Sequence, residues 1–445
     1  MTGERVVVVG AGPAGIRAAE VLSAPGVAVT LVDDRPAPGG RHYPQPPVGT
    51  ATDYRALYGL AAGRARRLHA TASALAARVD YRAETKALGV EGKLLHVSTV
   101  GVGETLPFEA LILAPGADDL LLPFPGATRP GVVTLGAAQA ALRWGQGAAG
   151  RRTVFLGSGP RLYDVAYQYL RAGAEVAAVL ETADPALARR QLPGLLSGGL
   201  AFARQLFVLS RLKAAKVPML AGVRPVAVVG GDTIEGLRCR DGEGTEFQVT
   251  GDALAVGFGP APDTRLAAQV GCVMLYDLPS RQWLPSIDAD GLTSVPGIYV
   301  AGDGRQEVGA DAAEASGALA AFAVLIELGY PVTVGMHRFW QTRAGYGSAY
   351  RRALRAAFPP PVDLAVASAD DTVVCGCQGI TAGALRRVGM ERGAAGAGEA
   401  KSGCGIGAGP CRGLYCVVAA DEILAAALGL APEAVGHAAP VALPP

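Results

Sequence analysis

Five of the seven cysteines, Cys375, Cys377, Cys404, Cys411 and Cys416, crowd into one C-terminal stretch, while Cys239 and Cys272 stand apart from it and from each other. The crowd reads C-x-C, then 33 intervening residues, then C-x4-C. A [2Fe–2S] cluster needs four thiolates converging on two irons. Close pairs set among Gly376, Gly405, Gly407, Gly409 and Gly413 suit it, because a permissive backbone can wrap the sulfides and donate N–H groups to them. Zinc is the rival for four cysteines, but C-x2-C is its commoner spacing. The two tight pairs make Cys375, Cys377, Cys411 and Cys416 the preferred ligands, with Cys404 able to replace one of them. Cys239 and Cys272 read as small core residues.

The second constellation lies at the other end. Gly10-Ala11-Gly12-Pro13-Ala14-Gly15 matches G-x-G-x-x-G between an expected strand and helix, and Asp33 follows 23 residues after Gly10. Gly10 permits the tight turn, Gly12 lets backbone approach a pyrophosphate, and Gly15 lets helix and strand pack closely. The helix N-terminus supplies N–H groups and a positive dipole. Asp33 is placed to accept from ribose hydroxyls. Its neighbour Asp34 is the competing acid, and strand alternation lets only one of the two face the sugar. Asp303, in the GDG that follows IYVA, could equally be a helix N-cap.

A copy of the glycine motif, Gly157-Ser158-Gly159-Pro160-Arg161-Leu162, opens a second strand–turn–helix unit with Glu181 after its last strand. Leu162 stands where the third glycine belongs, so its side chain holds helix and strand apart or fills pyrophosphate space. NAD(P) binding is therefore not expected, and this unit reads as scaffold. An apolar helical insert, Pro185 to Ala215, follows and could cover a nicotinamide site or dock on another protein.

These motifs need elements to hold them. Runs such as VVVV and VTLV suit parallel strands buried on both faces. The order is β-α-β, a piece of mixed pattern with a helix near Tyr54 to Arg78, a strand at Ala110 to Ala114, β-α-β again, alternating strands from Val226 to Val256, and the return strand IYVA. The expected class is α/β, with two dinucleotide-binding domains, the second inserted in the first, plus a small C-terminal iron–sulfur domain. Residues 1–117 and 262–330 form the first domain, 118–261 the second, 331–369 a connector with a basic helix, and 370–445 the cysteine-rich domain. With 40 basic and 39 acidic residues the net charge is +1, so no bulk field favours nucleic acid. No run reaches the roughly 18 uncharged apolar residues of a membrane span. Met1 leads into a strand without room for a signal peptide, so the chain is expected to be cytoplasmic.

Several segments carry a family resemblance. Pro38-Gly39-Gly40-Arg41 and TSVPGIYVAGDG resemble the flavin-binding segments of the glutathione-reductase-like flavoproteins, which implies FAD, held in part by Gly40, Arg41, Gly302 and Asp303. Ala114-Pro115-Gly116-Ala117 resembles that family's A-T-G turn, bringing in Ala114 and Gly116. GSGP-x-LY followed by the long insert, GFGPAPDT, and the C-x-C…PC-x-G-x2-C ending are more specific. They resemble the A (alpha) subunit of the heteromeric opine oxidase and hydroxyproline or proline dehydrogenase family. The hydrogen cyanide synthase middle subunit and part of sarcosine oxidase alpha belong to the same wider group. Gln378 stands where that family usually has glutamate, the spacer before PCRG is longer, and RQEVGAD replaces a more glycine-rich segment. The resemblance implies an electron-transfer subunit beside a D-amino-acid-oxidase-like flavoprotein subunit, in some members with FMN between subunits or a further small subunit, passing electrons to a downstream acceptor. It agrees with the absence of a motif around His42, His69, His96, His337 or His437; of these His42, with Arg41, lies nearest the expected flavin. The readings left beside it are a self-contained NAD(P)H-dependent reductase and a zinc-stabilised assembly protein.

Overall fold

A computed structural model describes residues 5–46, 53–145, 147–304, 309–393 and 396–436 of the 445. The N-terminal apolar runs form strands that are almost wholly buried on both faces, β1 (Arg5–Val9), β2 (Ala28–Val32) and, after the short, part-exposed edge strand β3 (Asp80–Arg82), β4 (Ala110–Leu113). A second all-parallel sheet contains β5 (Val132–Thr134), β6 (Arg152–Gly157), β7 (Glu175–Glu181), β8 (Met219–Ala221) and β9 (Ala253–Gly257), in the order β8-β7-β6-β9-β5. The chain then returns. Strand β10 (Ile298–Val300) pairs with β4 and completes the first sheet in the order β10-β4-β1-β2-β3.

Register sets the site. Val9 lies opposite Val32 and Leu113, and Leu113 opposite Val300. Gly10, Asp33, Ala114 and Ala301 therefore leave the sheet side by side at its carboxyl edge, where ligands of open α/β sheets bind. Helices α1 (Pro13–Ser23) and, near the chain's return, Gly309–Glu327 cover one face of this sheet. The latter is long and apolar enough to cross a membrane by composition, yet two-thirds of it is buried as a core helix. The segment of mixed pattern proves to be a three-stranded antiparallel sheet, Thr85–Glu91, Leu94–Thr99 and Val102–Pro107, closing the other face through Leu95, Val97 and Leu106. Its short strands contain glycines and charges, which weakens a period-two signal.

The second sheet is flanked by α2 (Leu135–Arg143), α3 (Pro160–Arg171) and α4 (Leu200–Ala214) on one face and by antiparallel strands between Arg224 and Thr250 on the other. The connector is largely helical. Its α5 (Ser348–Ala357) lays Ala353 and Ala357 against Leu195 of the apolar insert, so this chain itself covers part of that insert. The cysteine-bearing unit has a small hairpin, Val373–Cys375 with Ile380–Thr381, and the helices α6 (Ala382–Arg392) and α7 (Val417–Leu428). Its apolar side merges with the second domain, Ile380, Ala419 and Ile423 packing in one cluster with Leu237 and Cys239. A buried Lys401–Asp421 pair at 2.6 Å and the Arg281–Glu422 pair fasten α7.

Candidate functional site

The tight turn after β1 works because Gly10 has φ +104° and no side chain: a Cβ there would sit 2.2 Å from the Ala114 carbonyl oxygen. A Cβ on Gly12 would meet only Gly40 Cα, at 3.9 Å, and Gly12 caps α1 with no side-chain bond, which leaves the first N–H groups of α1 directed at the groove. Asp33 is buried and accepts the Ala11 N–H and, at 2.9 Å, the Arg35 N–H. Burial pushes its carboxyl up to about 6. Asp34 is exposed to the groove. The two acids thus divide the work, Asp33 bracing the glycine loop and Asp34 facing outward.

A cavity of about 410 Å³ runs from this groove along the carboxyl edges of both parallel sheets. Gly10, Gly12, Pro13, Ala14, Asp33, Asp34, Gly40, Arg41, Ala114, Gly116, Gly302 and Asp303 all line it, whereas Gly15 lies beneath, packing on the turn. Gly302 is left-handed, and its N–H donates to Ser316 Oγ at 2.7 Å, so Ser316 fixes the GDG turn. Arg305 to Val308 of the RQEVGAD segment, like His437, fall outside the described residues. Arg41 pairs with Asp118, whose carboxylate also accepts from Tyr415 Oη at 2.7 Å. Burial opposes ionisation of Asp118, but Arg41 and Tyr415 hold it below the usual carboxylate range.

At the second glycine motif Leu162 points into the core with Leu135, Phe155 and Val179. It acts as packing and does not enter the groove. Glu181 accepts the N–H groups of Gly159 and Ala183, each at 2.9 Å, and burial raises it to about 7. Phe358 of the connector stands over the motif: a Cβ on Gly159 would meet its Cβ and Cγ at 3.7 and 3.8 Å.

The preferred cysteines are brought together. Cys377 Sγ lies 3.6 Å from Cys411 Sγ, and Cys416 is in hydrogen-bonding contact with both Cys411 and Cys375. The Cys416 and Cys377 thiols and the N–H groups of Gly413 and Tyr415 converge on Cys411, holding its thiol down to about 5 despite burial. Gly409 makes the approach possible, since a Cβ there would be 2.5 Å from Cys377 Cβ. Cys404 points elsewhere, toward the Ala384 carbonyl at 3.9 Å. Among the described residues no group of three or more His, Cys, Asp or Glu side chains stands ready to hold a single metal ion. Four thiols in successive contact, with the Gly413 and Tyr415 N–H groups on Cys411, are the donor type that a sulfide-bridged cluster uses.

Sequence reasoning missed the residues between the two sites. Arg265 binds Asp263 and donates to the Cys411 carbonyl at 2.8 Å. Arg412, left-handed at φ +48°, donates to the Leu88 carbonyl at 2.6 Å, lines the cavity, and keeps a buried Nη2 without partner. Arg412 could have been noticed inside PCRG; nothing local marks Arg265 or Asp118.

Two nucleotide-type sheets with one glycine-lined groove define a flavin oxidoreductase of the two-dinucleotide-domain class. The chain belongs to the pyridine nucleotide-disulphide oxidoreductase family, matched over residues 4–318. That family implies FAD for the first groove. The chain is 33% identical to the opine oxidase A subunit of Agrobacterium tumefaciens over 95% of its own length and 85% of the relative's. It is 30% identical to the hydrogen cyanide synthase subunit HcnB of Pseudomonas aeruginosa over 96% and 93%. In fold it resembles L-proline dehydrogenase from P. horikoshii, with a TM-score of 0.68 at 21% identity, covering 98% of this chain and 77% of that one.

Proposed function

We propose that this chain is the FAD- and [2Fe–2S]-containing electron-transfer subunit of a heteromeric dehydrogenase or oxidase acting on CH–NH bonds of an amino acid, imino acid or opine. The observation that carries the reading is that the glycine-lined cavity and the four cysteines share a wall. Arg412, next to Cys411, lines the cavity, and Arg265, also lining it, holds the Cys411 carbonyl. When bound, FAD exchanges electron pairs and a [2Fe–2S] cluster exchanges single electrons, so the pair would link two-electron to one-electron chemistry.

The residues present fit both groups. The uncapped start of α1 and the space beside Gly12 suit a pyrophosphate, Asp34 and Asp33 lie at the ribose end, and Gly302 and Asp303 line the next stretch. Cys375, Cys377, Cys411 and Cys416 would hold the irons, in a domain comprising residues 370–445 attached to the dinucleotide domains by the 331–369 connector. Phe358 over Gly159 argues against NAD(P)H as donor at the second motif. The relatives named as subunits support a heteromeric assembly. Its partner is a D-amino-acid-oxidase-like flavoprotein that oxidises the substrate, in the reducing cytoplasm, with FMN at the shared interface as a further candidate. The test is anaerobic mixing. The chain alone should keep an oxidised flavin spectrum with L-proline, hydroxyproline, an opine or NADH, and bleach with substrate only when the partner is added. Bleaching of the isolated chain by NADH would replace this reading with that of a self-contained reductase.

A further inference from the structure

The loop that carries Cys411 and Cys416 lies between two cavities. One is the glycine-lined cavity described above, and the other is a smaller one of about 100 Å³. Arg265 and Arg412 line both. The cations of the small cavity are Arg265, Arg281, Lys401 and Arg412. Arg265 is engaged by Asp263 at 2.7 Å, Arg281 by Glu422 at 2.6 Å and Lys401 by Asp421 at 2.6 Å. Arg412 has no carboxylate partner among the described residues. Its Nη1 donates to the Leu88 carbonyl at 2.6 Å, its Nη2 is buried without a hydrogen-bond partner, and the residue is only 9% exposed. The described charges that act on it are Arg265, which repels it, and Asp263, which attracts it less strongly. Its backbone is left-handed at φ +48°, where glycine would sit more easily.

A buried cation without a counter-charge is strongly unfavourable. The nearest source of one is the preceding residue, Cys411, with the thiols gathered around it. Four thiolates and two sulfides outweigh two ferric ions, so a [2Fe–2S] cluster is anionic and gains one further negative charge with each electron it accepts. We propose that Arg412 is the counter-cation of the cluster and sets its reduction potential, favouring the state that holds the transferred electron. The proposal rests on the reading of the four cysteines as cluster ligands. Because Arg412 also lines the flavin cavity, its charge lies on the side of the cysteines that faces the electron donor. Charges at the ends of neighbouring side chains stand on the order of 10 Å apart, and at an effective dielectric of about 20 that separation amounts to about tenfold in an equilibrium. Neutralising Arg412 should therefore lower the ratio of reduced to oxidised cluster about tenfold at a fixed solution potential. For a one-electron couple that is a midpoint lower by about 59 mV. An Arg412 that merely ties the cysteine loop to Leu88 predicts no such shift.

The experiment uses the full-length protein, purified anaerobically with the flavin and iron it carries. It is titrated with dithionite in the presence of redox mediators, and reduced cluster is counted by its electron paramagnetic resonance signal. Iron and FAD contents show that each variant is loaded. Arg412→Gln keeps a donor for Leu88 and loses the charge, so its midpoint should fall by about that step. Arg412→Lys keeps the charge and should stay near the parent. The difference should persist when salt is raised, because a buried charge is weakly screened. Should Arg412→Gln fail to load iron, Thr264→Asp places a carboxylate on the wall of the small cavity that Arg412 shares, and should lower the midpoint by a smaller step. The proposal is overturned, and the electron-transfer reading left standing, by an unshifted midpoint in iron-loaded Arg412→Gln, by an equal fall in Arg412→Lys, or by an unshifted or raised midpoint in Thr264→Asp. A parent protein with neither iron nor the resonance signal defeats that reading and the proposal with it.

Discussion

Replacing Gly10 with alanine places a methyl carbon 2.2 Å from the Ala114 carbonyl oxygen and 2.8 Å from its carbon, at a backbone φ of +104°. A left-handed alanine costs about 1–2 kcal/mol, and forcing a methyl into a packed contact costs about 1–3 kcal/mol more. The turn after β1 must then separate from the turn after β4, and these two turns are adjoining parts of the cavity floor. The expected loss is about 2–5 kcal/mol from the first domain, or a fall of roughly 10 °C in its unfolding at about 2–4 °C per kcal/mol. Thermal unfolding followed by flavin release reads the effect, together with FAD content after desalting, which should fall. The cysteine cluster lies in another unit, so iron content should hold. Gly10→Ala with full FAD occupancy and an unshifted transition would refute the account of this turn as the pinned floor of the flavin groove.

Three further outcomes are expected. Cys411→Ser should abolish iron binding and leave FAD in place, whereas Cys404→Ser should leave both, because Cys404 points toward Ala384 and away from the other four thiols; iron and flavin assays on both variants check this. Glu181, raised to about 7, holds its proton more tightly folded than unfolded, so its contribution falls as pH climbs from about 4.5 to about 7, by roughly 3 kcal/mol. Denaturant titrations at pH 5 and pH 8 should show that loss in the parent protein and not in Glu181→Gln. Lys401→Met leaves Asp421 buried and unpaired and should destabilise the cysteine-bearing unit by about 3–5 kcal/mol, while adding Asp421→Leu should restore most of it, as measured by thermal unfolding.

Much of this architecture was legible because it depends on local rules. Valine runs mark doubly buried strands, a glycine turn marks their carboxyl ends, and close cysteine pairs mark thiols that the fold brings together. What escaped was set by contacts distant in sequence. The antiparallel strands from Thr85 to Pro107 close a sheet face through alternate residues too interrupted by glycine and charge to show a period. Ser316 serves Gly302 from the following helix, and Tyr415 reaches Asp118 across 297 residues. Leu162 looked like a defect in a nucleotide motif, and the physical outcome is a packed core residue with Phe358 of the connector placed over Gly159.

The central claim is that one chain joins a flavin to an iron–sulfur cluster on behalf of another subunit. Native mass spectrometry of the complex purified from its own cells, with iron, zinc and flavin analysis on the same sample, tests it most directly. The account predicts one FAD, two irons and two sulfides per copy of this chain, in a particle that also contains a second, different flavoprotein chain. A particle built of this chain alone, or one carrying zinc in place of iron, would contradict it.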